Sequence, residues 1–288
     1  MPWRKGGVPV VSNTAIDLPN GRYCALTTAY SGVIDVKSID IVNSRSGYSD
    51  GCLSIHVSGD AGKVASSCME FGKNRVRTYA YADFGGGLER AGRIPQEGSG
   101  EASVTVVIEA NVPDSTMARA AITANEGITA AMQDLRLRYD GLNASGMVRQ
   151  DVTIVCNRAS GVSVRGAGNH SKMGELIGAS VIDAVKASAQ KNGFDIKGST
   201  TVTKMMKDFG HKNVPDIQKC IDTDSKTIAT VSSVMHIVDC IRWGLIPEEE
   251  GAAAGRDILR SCFGYEGNGQ TLSEALADAV AYHISRSQ

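Results

Sequence analysis

The chain has 288 residues, enough for one large domain or two ordinary ones and for a proper buried core. Lys and Arg number 30 against 31 Asp and Glu, a net charge of -1 with no long run of either sign, which argues against a polyanion-binding surface and against nucleic acid as a partner. The seven cysteines (Cys24, Cys52, Cys68, Cys156, Cys220, Cys240 and Cys262) are an odd number, far apart and without a C-x-x-C pair, so reduced cytosolic thiols explain them more simply than a disulfide framework or a Cys-based zinc site.

The N-terminus, MPWRKGGVPVV, has two basic residues but no apolar run long enough for a signal peptide. The first 110 residues are rich in Val, Ile, Thr, Tyr and Ser, and strand-like runs recur: VPVVSNTAI, YCALTTAY, GVIDVKSIDIV, LSIHVSG, RVRTYAYADF and SVTVVIEANV. Between the last two lies GGGLERAGRIPQEGSGEA, longer than a tight turn requires, which reads as a mobile flap or as slack. From Asp114 the period becomes helical, with Asp114 or Ser115 as N-cap and a helix to about Leu137 that turns Ile128, Ala131, Met132 and Leu135 inward. DVTIVCN, residues 151–157, reads as a buried strand. A second helix follows, with the stripe Met173, Leu176, Ile177, Val181, Ala184 and Val185 and a natural stop at Gly193. Strands covered by two long helices give an α/β sandwich.

After Gly198 the sequence is almost wholly helical, through TVTKMMKDFGHK, DSKTIATVSSVMHIVDCIRWGLI, PEEEGAAAGRDILRSCF and TLSEALADAVAYHISRS. Pro247 followed by three glutamates suits a helix start. The most apolar of these runs contains His236, Asp239 and Arg242, which a membrane span would tolerate badly, so the expectation is a soluble, cytoplasmic protein without a membrane partner. This end is a helical subdomain, or an oligomerisation element that would make a homo-oligomer.

The second long helix is entered through GAGNHSK, residues 166–172, which gathers Gly168, Asn169, His170, Ser171 and Lys172 where a helix presents free N–H groups and its positive dipole end. Such an end suits an anionic or strongly polar ligand; it is equally served by Asn169 or Ser171 as a plain cap with His170 incidental. A histidine near neutral pKa can move protons in hydrolysis. Glu175 reads as a solvated first-turn carboxylate. Gly174 and Gly178 would let another backbone approach. On the first helix Arg119, Thr123 and Glu126 share a face, either a substrate clamp with a general base or a surface ion pair. Thr27 and Thr28 bring hydroxyls to the end of a strand, as pocket lining or as ordinary strand residues. No H-E-x-x-H or similar metal motif is present.

Three segments, ARAAITANEGITAAMQDLRLR, ASGMVRQDVTIVCN and AGNHSKMGELIGASVIDAVKASA, resemble the adenosylcobinamide amidohydrolase family. That family reads approximately A-R-A-x-I-T-A-T-E-A-K-T-A-A-L-x-D-L in the helix, A-T-G-T-G-T-D before a strand, and A-G-x-H-T-K-L-G-E-L-I-G before the next helix. Order and spacing agree over about residues 104–192, and the last segment keeps Gly168, His170, Lys172, Gly174, Glu175 and Gly178. The chain departs in ASGMVRQD, which loses two threonines and a glycine and inserts Arg149 while keeping Asp151, and in Ile128, which stands where the family has lysine.

The resemblance implies hydrolysis of the amide between a corrin propionate side chain and aminopropanol, releasing adenosylcobyric acid in corrinoid salvage. The corrinoid would be the substrate, with no cofactor and no metal. Carried over by position, Glu126, Asp151, His170, Lys172 and Glu175 are the candidates. The expected assignment is His170, Glu126 and Asp151 as catalytic residues, with Lys172, Gly168, Asn169, Ser171, Glu175, Arg119 and Thr28 around the substrate. Residues 1–198 would form the amidohydrolase-like α/β domain and 199–288 the helical subdomain. The alternatives are a related-fold hydrolase or ligase acting on another amide or thioester in organometallic cofactor biosynthesis, and a corrinoid-binding protein without catalysis.

Overall fold

The structure, a computed structural model, describes residues 13–28, 32–95, 97–196, 201–211 and 219–287. In chain order the elements are β1 (Asn13–Ile16), β2 (Tyr23–Thr27), β3 (Val33–Val36), β4 (Ser38–Val42), β5 (Gly47–Ser49), β6 (Cys52–His56), β7 (Ala65–Phe71), β8 (Asn74–Asp83), β9 (Leu88–Glu89) and β10 (Glu101–Ile108). There follow α1 (Asp114–Asp134), β11 (Arg138–Tyr139), β12 (Leu142–Asn143), β13 (Gly146–Met147), β14 (Arg149–Asn157) and α2 (Lys172–Lys191). The remainder is α3 (Val202–Asp208), α4 (Lys219–Asp222), α5 (Ser225–Arg242), α6 (Glu248–Phe263) and α7 (Leu272–Ser287). It is a mixed α/β fold with a sheet-rich N-terminal half. None of the described helices is long and apolar enough to cross a membrane.

The chain divides into two compact units, the first made of the described residues up to Arg136 together with Ala144–Phe194. Its main sheet has the order β3-β2-β14-β10-β8-β7. β10 is buried at all eight positions because it lies between β14, parallel to it, and β8, antiparallel to it, with both faces covered. A four-stranded sheet, β1-β4-β6-β5, packs on one face through Ile39, Ile41, Leu53 and Ile55 against Tyr23, Tyr81, Val107 and Val155. α1 and α2 cover the other face. The expected stripes are buried, and fully enclosing side chains such as Ile128, Met132, Ile177 and Val181 stabilises the layer by about 1.5–3 kcal/mol each. A buried Thr78–Ser180 hydrogen bond of 2.7 Å and a 2.9 Å bond from Ala82 N–H to the Ser188 hydroxyl fix α2 on β8.

Four local readings change. GVIDVKSIDIV is two strands, broken at Lys37: β3 stays in the main sheet while β4 joins the second, and the Lys37 and Ser38 N–H groups both turn to the Gly51 carbonyl. β7, from ASSCMEF, was hidden because it alternates small and exposed polar residues rather than β-branched ones. α1 is capped by neither Asp114 nor Ser115; Pro113 precedes it without a side-chain cap, and Asp114 in the first turn pairs with Arg158. The glycine-rich segment is neither flap nor slack where it runs along residues 87–91. It pairs β9 with β13, and Ala91 N–H donates to the Ser145 hydroxyl at 2.8 Å. VPVVSNTAI lies outside the described residues before Asn13, as does YCALTTAY after Thr28.

The second unit comprises Leu137–Asn143 and the described residues from Asp195 onward. Its core gathers Met206 of α3, Val231 and Val234 of α5, Leu259 of α6, and Leu276 and Val280 of α7. Pro247 and Glu248–Glu250 start α6, and Gly264, at φ 73°, ends it in the left-handed conformation. The β11–β12 hairpin is anchored by a 2.6 Å ion pair between Arg138 and the buried Asp239, while Arg138 and Arg242 stack on Phe209 at 5.2 and 4.8 Å.

Candidate functional site

The loop that enters α2 is shaped from both sides. The Thr116 hydroxyl donates to the Arg165 carbonyl at 2.9 Å, and the Thr123 hydroxyl to the Ala167 carbonyl at 2.8 Å, so α1 holds the segment leading to Gly168. Ser171, in extended geometry, accepts from Gly174 N–H at 3.0 Å and donates to the Gly168 carbonyl at 2.7 Å. It is therefore the N-cap, and Asn169 and His170 are left exposed beside it. The helix needs glycine at 174: a Cβ there would lie 2.0 Å from the Gly168 carbonyl oxygen. The two helices are also close, since a Cβ on Gly127 would come within 3.0 Å of Val181 Cβ and 3.4 Å of the Gly178 carbonyl.

This close packing leaves a cleft of about 600 Å³ along the outer side of α1 and α2. Glu126 and Ala130 line it from α1; Asn169, His170 and Ser171 from the loop; Lys172, Glu175, Gly178 and Ile182 from α2. A Cβ on Gly178 would meet nothing within 4 Å, so that residue keeps the wall of the cleft open. Lys172 pairs with Glu175 one turn on, and its ammonium lies 4.8 Å from the centroid of the exposed Phe71 ring at the β7–β8 hairpin. First-turn N–H groups have no intrahelical acceptor, and the dipole favours negative charge at this mouth. Among the described residues no group of three or more His, Cys, Asp and Glu could hold a metal ion.

The structure thus brings together Glu126, Asn169, His170, Ser171, Lys172 and Glu175 on one cleft, with Gly168 buried behind the loop. Arg119 is exposed and adjacent: a Cβ at Gly168 would lie 3.1 Å from His170 Cε1 and 3.6 Å from Arg119 Cδ. Thr123, on the face of Arg119 and Glu126, lines the cleft beside Glu126 with little exposure, its hydroxyl turned to the loop. Asp151 and Thr28 do not line this cleft. The Thr28 hydroxyl donates to Asp151 at 2.7 Å and accepts from Val152 N–H at 3.2 Å. Side chains alternate along β14, and Cys156 faces Met117 of α1 whereas Val155 faces the second sheet, so Asp151 points away from α1.

On the α1 side stands Gln150, one residue earlier. It donates to Asn125 at 2.5 Å and accepts from Met147 N–H at 3.1 Å, beside Glu126 in sequence. Sequence reasoning missed Gln150, Asn125 and Phe71. Phe71 had a signal, an aromatic next to Gly72-Lys73 in a two-residue hairpin turn; the Gln150–Asn125 bond joins residues 25 apart and had none.

Residues 57–194 match the model of the adenosylcobinamide amidohydrolase family. The matched segment contains α1, β14 and α2, and with them all the residues of the cleft. MJ1613, an uncharacterized protein of Methanocaldococcus jannaschii, is 36% identical over 91 residues, 31% of this chain and 35% of that protein. The chain therefore spans about a third of that relative's length.

Proposed function

We infer that the α1–α2 cleft hydrolyses the amide of adenosylcobinamide, releasing adenosylcobyric acid and aminopropanol. The observation that carries this is the convergence of Glu126, His170 and Lys172 on one open cleft, inside the segment that matches the amidohydrolase family. The cleft has room for the amide arm, and Phe71 stands exposed beside Lys172 at its rim, where the bulky ring would lie.

Hydrolysis of an unstrained amide needs a water relieved of a proton, donors for the tetrahedral oxyanion and a proton for the departing amine. Glu126 or His170 takes the proton from water as it attacks the carbonyl carbon. The oxyanion is met by the first-turn N–H groups of α2 and by Lys172. The carbon–nitrogen bond breaks as the protonated member of the pair gives its proton to the amine. Asp151, engaged with Thr28, steadies the start of β14 and is assigned no proton transfer.

A second reading, another amide or thioester in the same cleft, is favoured by the Gln150–Asn125 bond, which occupies the place where ASGMVRQD departs from the family pattern. Incubation of the purified chain with adenosylcobinamide, followed by mass spectrometry, separates the two. Adenosylcobyric acid and free aminopropanol support the first reading. Intact corrinoid at long times rejects it and leaves the second.

A further inference from the structure

Cys24 and Cys156 are opposite one another on β2 and β14, on the face that α1 covers, and Met117 of α1 comes down between them. Their sulfurs form a triangle with sides of 3.3 Å (Cys24 to Cys156), 3.7 Å (Cys156 to Met117) and 3.8 Å (Cys24 to Met117). All three residues are closed to solvent, at 2%, 0% and 0% exposure. The point equidistant from the three sulfurs lies about 2.1 Å from each, near the metal–thiolate distance of about 2.3 Å.

One charged group caps the triangle. Arg158 Nε donates to Cys24 Sγ at 3.0 Å, and the rest of its guanidinium is held by the Val112 carbonyl and by the exposed Asp114 carboxylate. A guanidinium there favours the Cys24 thiolate over the thiol. Two thiolates and one monovalent cation leave a net charge of -1 facing the Arg158 guanidinium, which Asp114 also shares.

We propose that Cys24, Cys156 and Met117 form a three-sulfur site for a soft monovalent metal ion, copper(I). Thiolate and thioether donors select this ion among common metals. Binding displaces the protons that remain on the two thiols and oxidises nothing. Entry would pass Arg158, whose partner Asp114 lies at the surface.

A disulfide is the competing fate of two close thiols, and the sheet disfavours it. Arg158 N–H bonds the Arg22 carbonyl and Thr28 N–H the Val152 carbonyl, so by alternation Cys24 and Cys156 form a hydrogen-bonded pair. The Cβ atoms of such pairs stand toward the 5.5 Å end of the cross-strand range, against roughly 3.5–4.5 Å in a disulfide. The thioether, useless to a disulfide, completes a trigonal set.

The test is anaerobic titration of the reduced, metal-free full chain with copper(I) against a chromophoric competitor, with X-ray absorption on the 1:1 complex. The expected result is one tightly held equivalent with three sulfur scatterers in a single shell. Met117→Leu keeps the core volume and should leave two scatterers and at least about tenfold weaker binding. The proposal is overturned if no copper is withheld from the competitor. It is equally overturned if the bound ion is indifferent to both Met117→Leu and Cys24→Ser. A third contrary result is a reduced chain that ignores copper but, with glutathione disulfide as the two-electron acceptor, forms a Cys24–Cys156 bond and two glutathiones.

Discussion

The two compact units put close helix packing to different uses. In the first, α1 and α2 approach at Gly127, which meets Val181 and the Gly178 carbonyl, and the open side of Gly178 leaves a polar-mouthed cleft on the outside. In the second, α6 approaches α5 through Gly251 against Ile241 and α7 through Gly255 against Leu272, the rest of the core is Met, Val, Leu and Phe side chains, and the ion pair of Arg138 with buried Asp239 holds a hairpin in place. In the first unit the close approach borders a cleft with polar groups at its mouth; in the second it is filled by apolar side chains. That distinction makes substitutions in the two units separable by whether they change stability, activity or both.

The largest stability effect is expected from Asp239→Ala. It leaves Arg138 poorly exposed and unpaired, a loss of about 3–5 kcal/mol in a denaturant titration, while turnover per folded molecule stays unchanged. Turnover lost in proportion to nothing but this substitution would erase the division of labour. Gly174→Ala comes next. Its Cβ cannot coexist with the Gly168 carbonyl, so the loop must shift, with about 1–3 kcal/mol of destabilisation and loss of activity together. Gly178→Ala sharpens the contrast within one helix: with open space around the new Cβ, stability should rise by roughly 0.5–1 kcal/mol. Because that methyl enters the cleft, KM for the substrate should rise.

The smallest effect is a pH dependence confined to the second unit. Burial, and secondarily Arg242, holds the His211 imidazole below its ordinary 6.5. The folded state therefore prefers the neutral ring. Stability is fully present above pH 6.5 and declines as pH falls below it toward the depressed folded value. Denaturation midpoints at pH 7.5 and 5.5 should differ more for the unaltered chain than for His211→Gln; equal differences would rule the histidine out.

How much of this was legible in the sequence follows the range of the interactions. α1 and α2 were legible because a 3.6-residue stripe and the Ser171 and Gly193 boundaries are local signals. The polar cluster at residues 168–172 was legible for the same reason, since consecutive residues at a helix entry must lie together. β7 was not, because ASSCMEF carries no β-branched alternation. Nor was the fate of Asp151 and Thr28, which depends on the register of strands 123 residues apart, or the sulfur triangle, which needs two strands and a helix in place at once.

The central claim, that the cleft between α1 and α2 is the catalytic site, is tested most directly by single-turnover release of aminopropanol from adenosylcobinamide. The unaltered chain, His170→Ala and Glu126→Gln are compared, with corrinoid binding and circular dichroism measured on each. The account predicts that both substitutions leave fold and binding intact and slow release by about 10²–10⁴-fold. Release at the unaltered rate in either variant would remove that residue from the mechanism, and in both would place the chemistry elsewhere in the molecule.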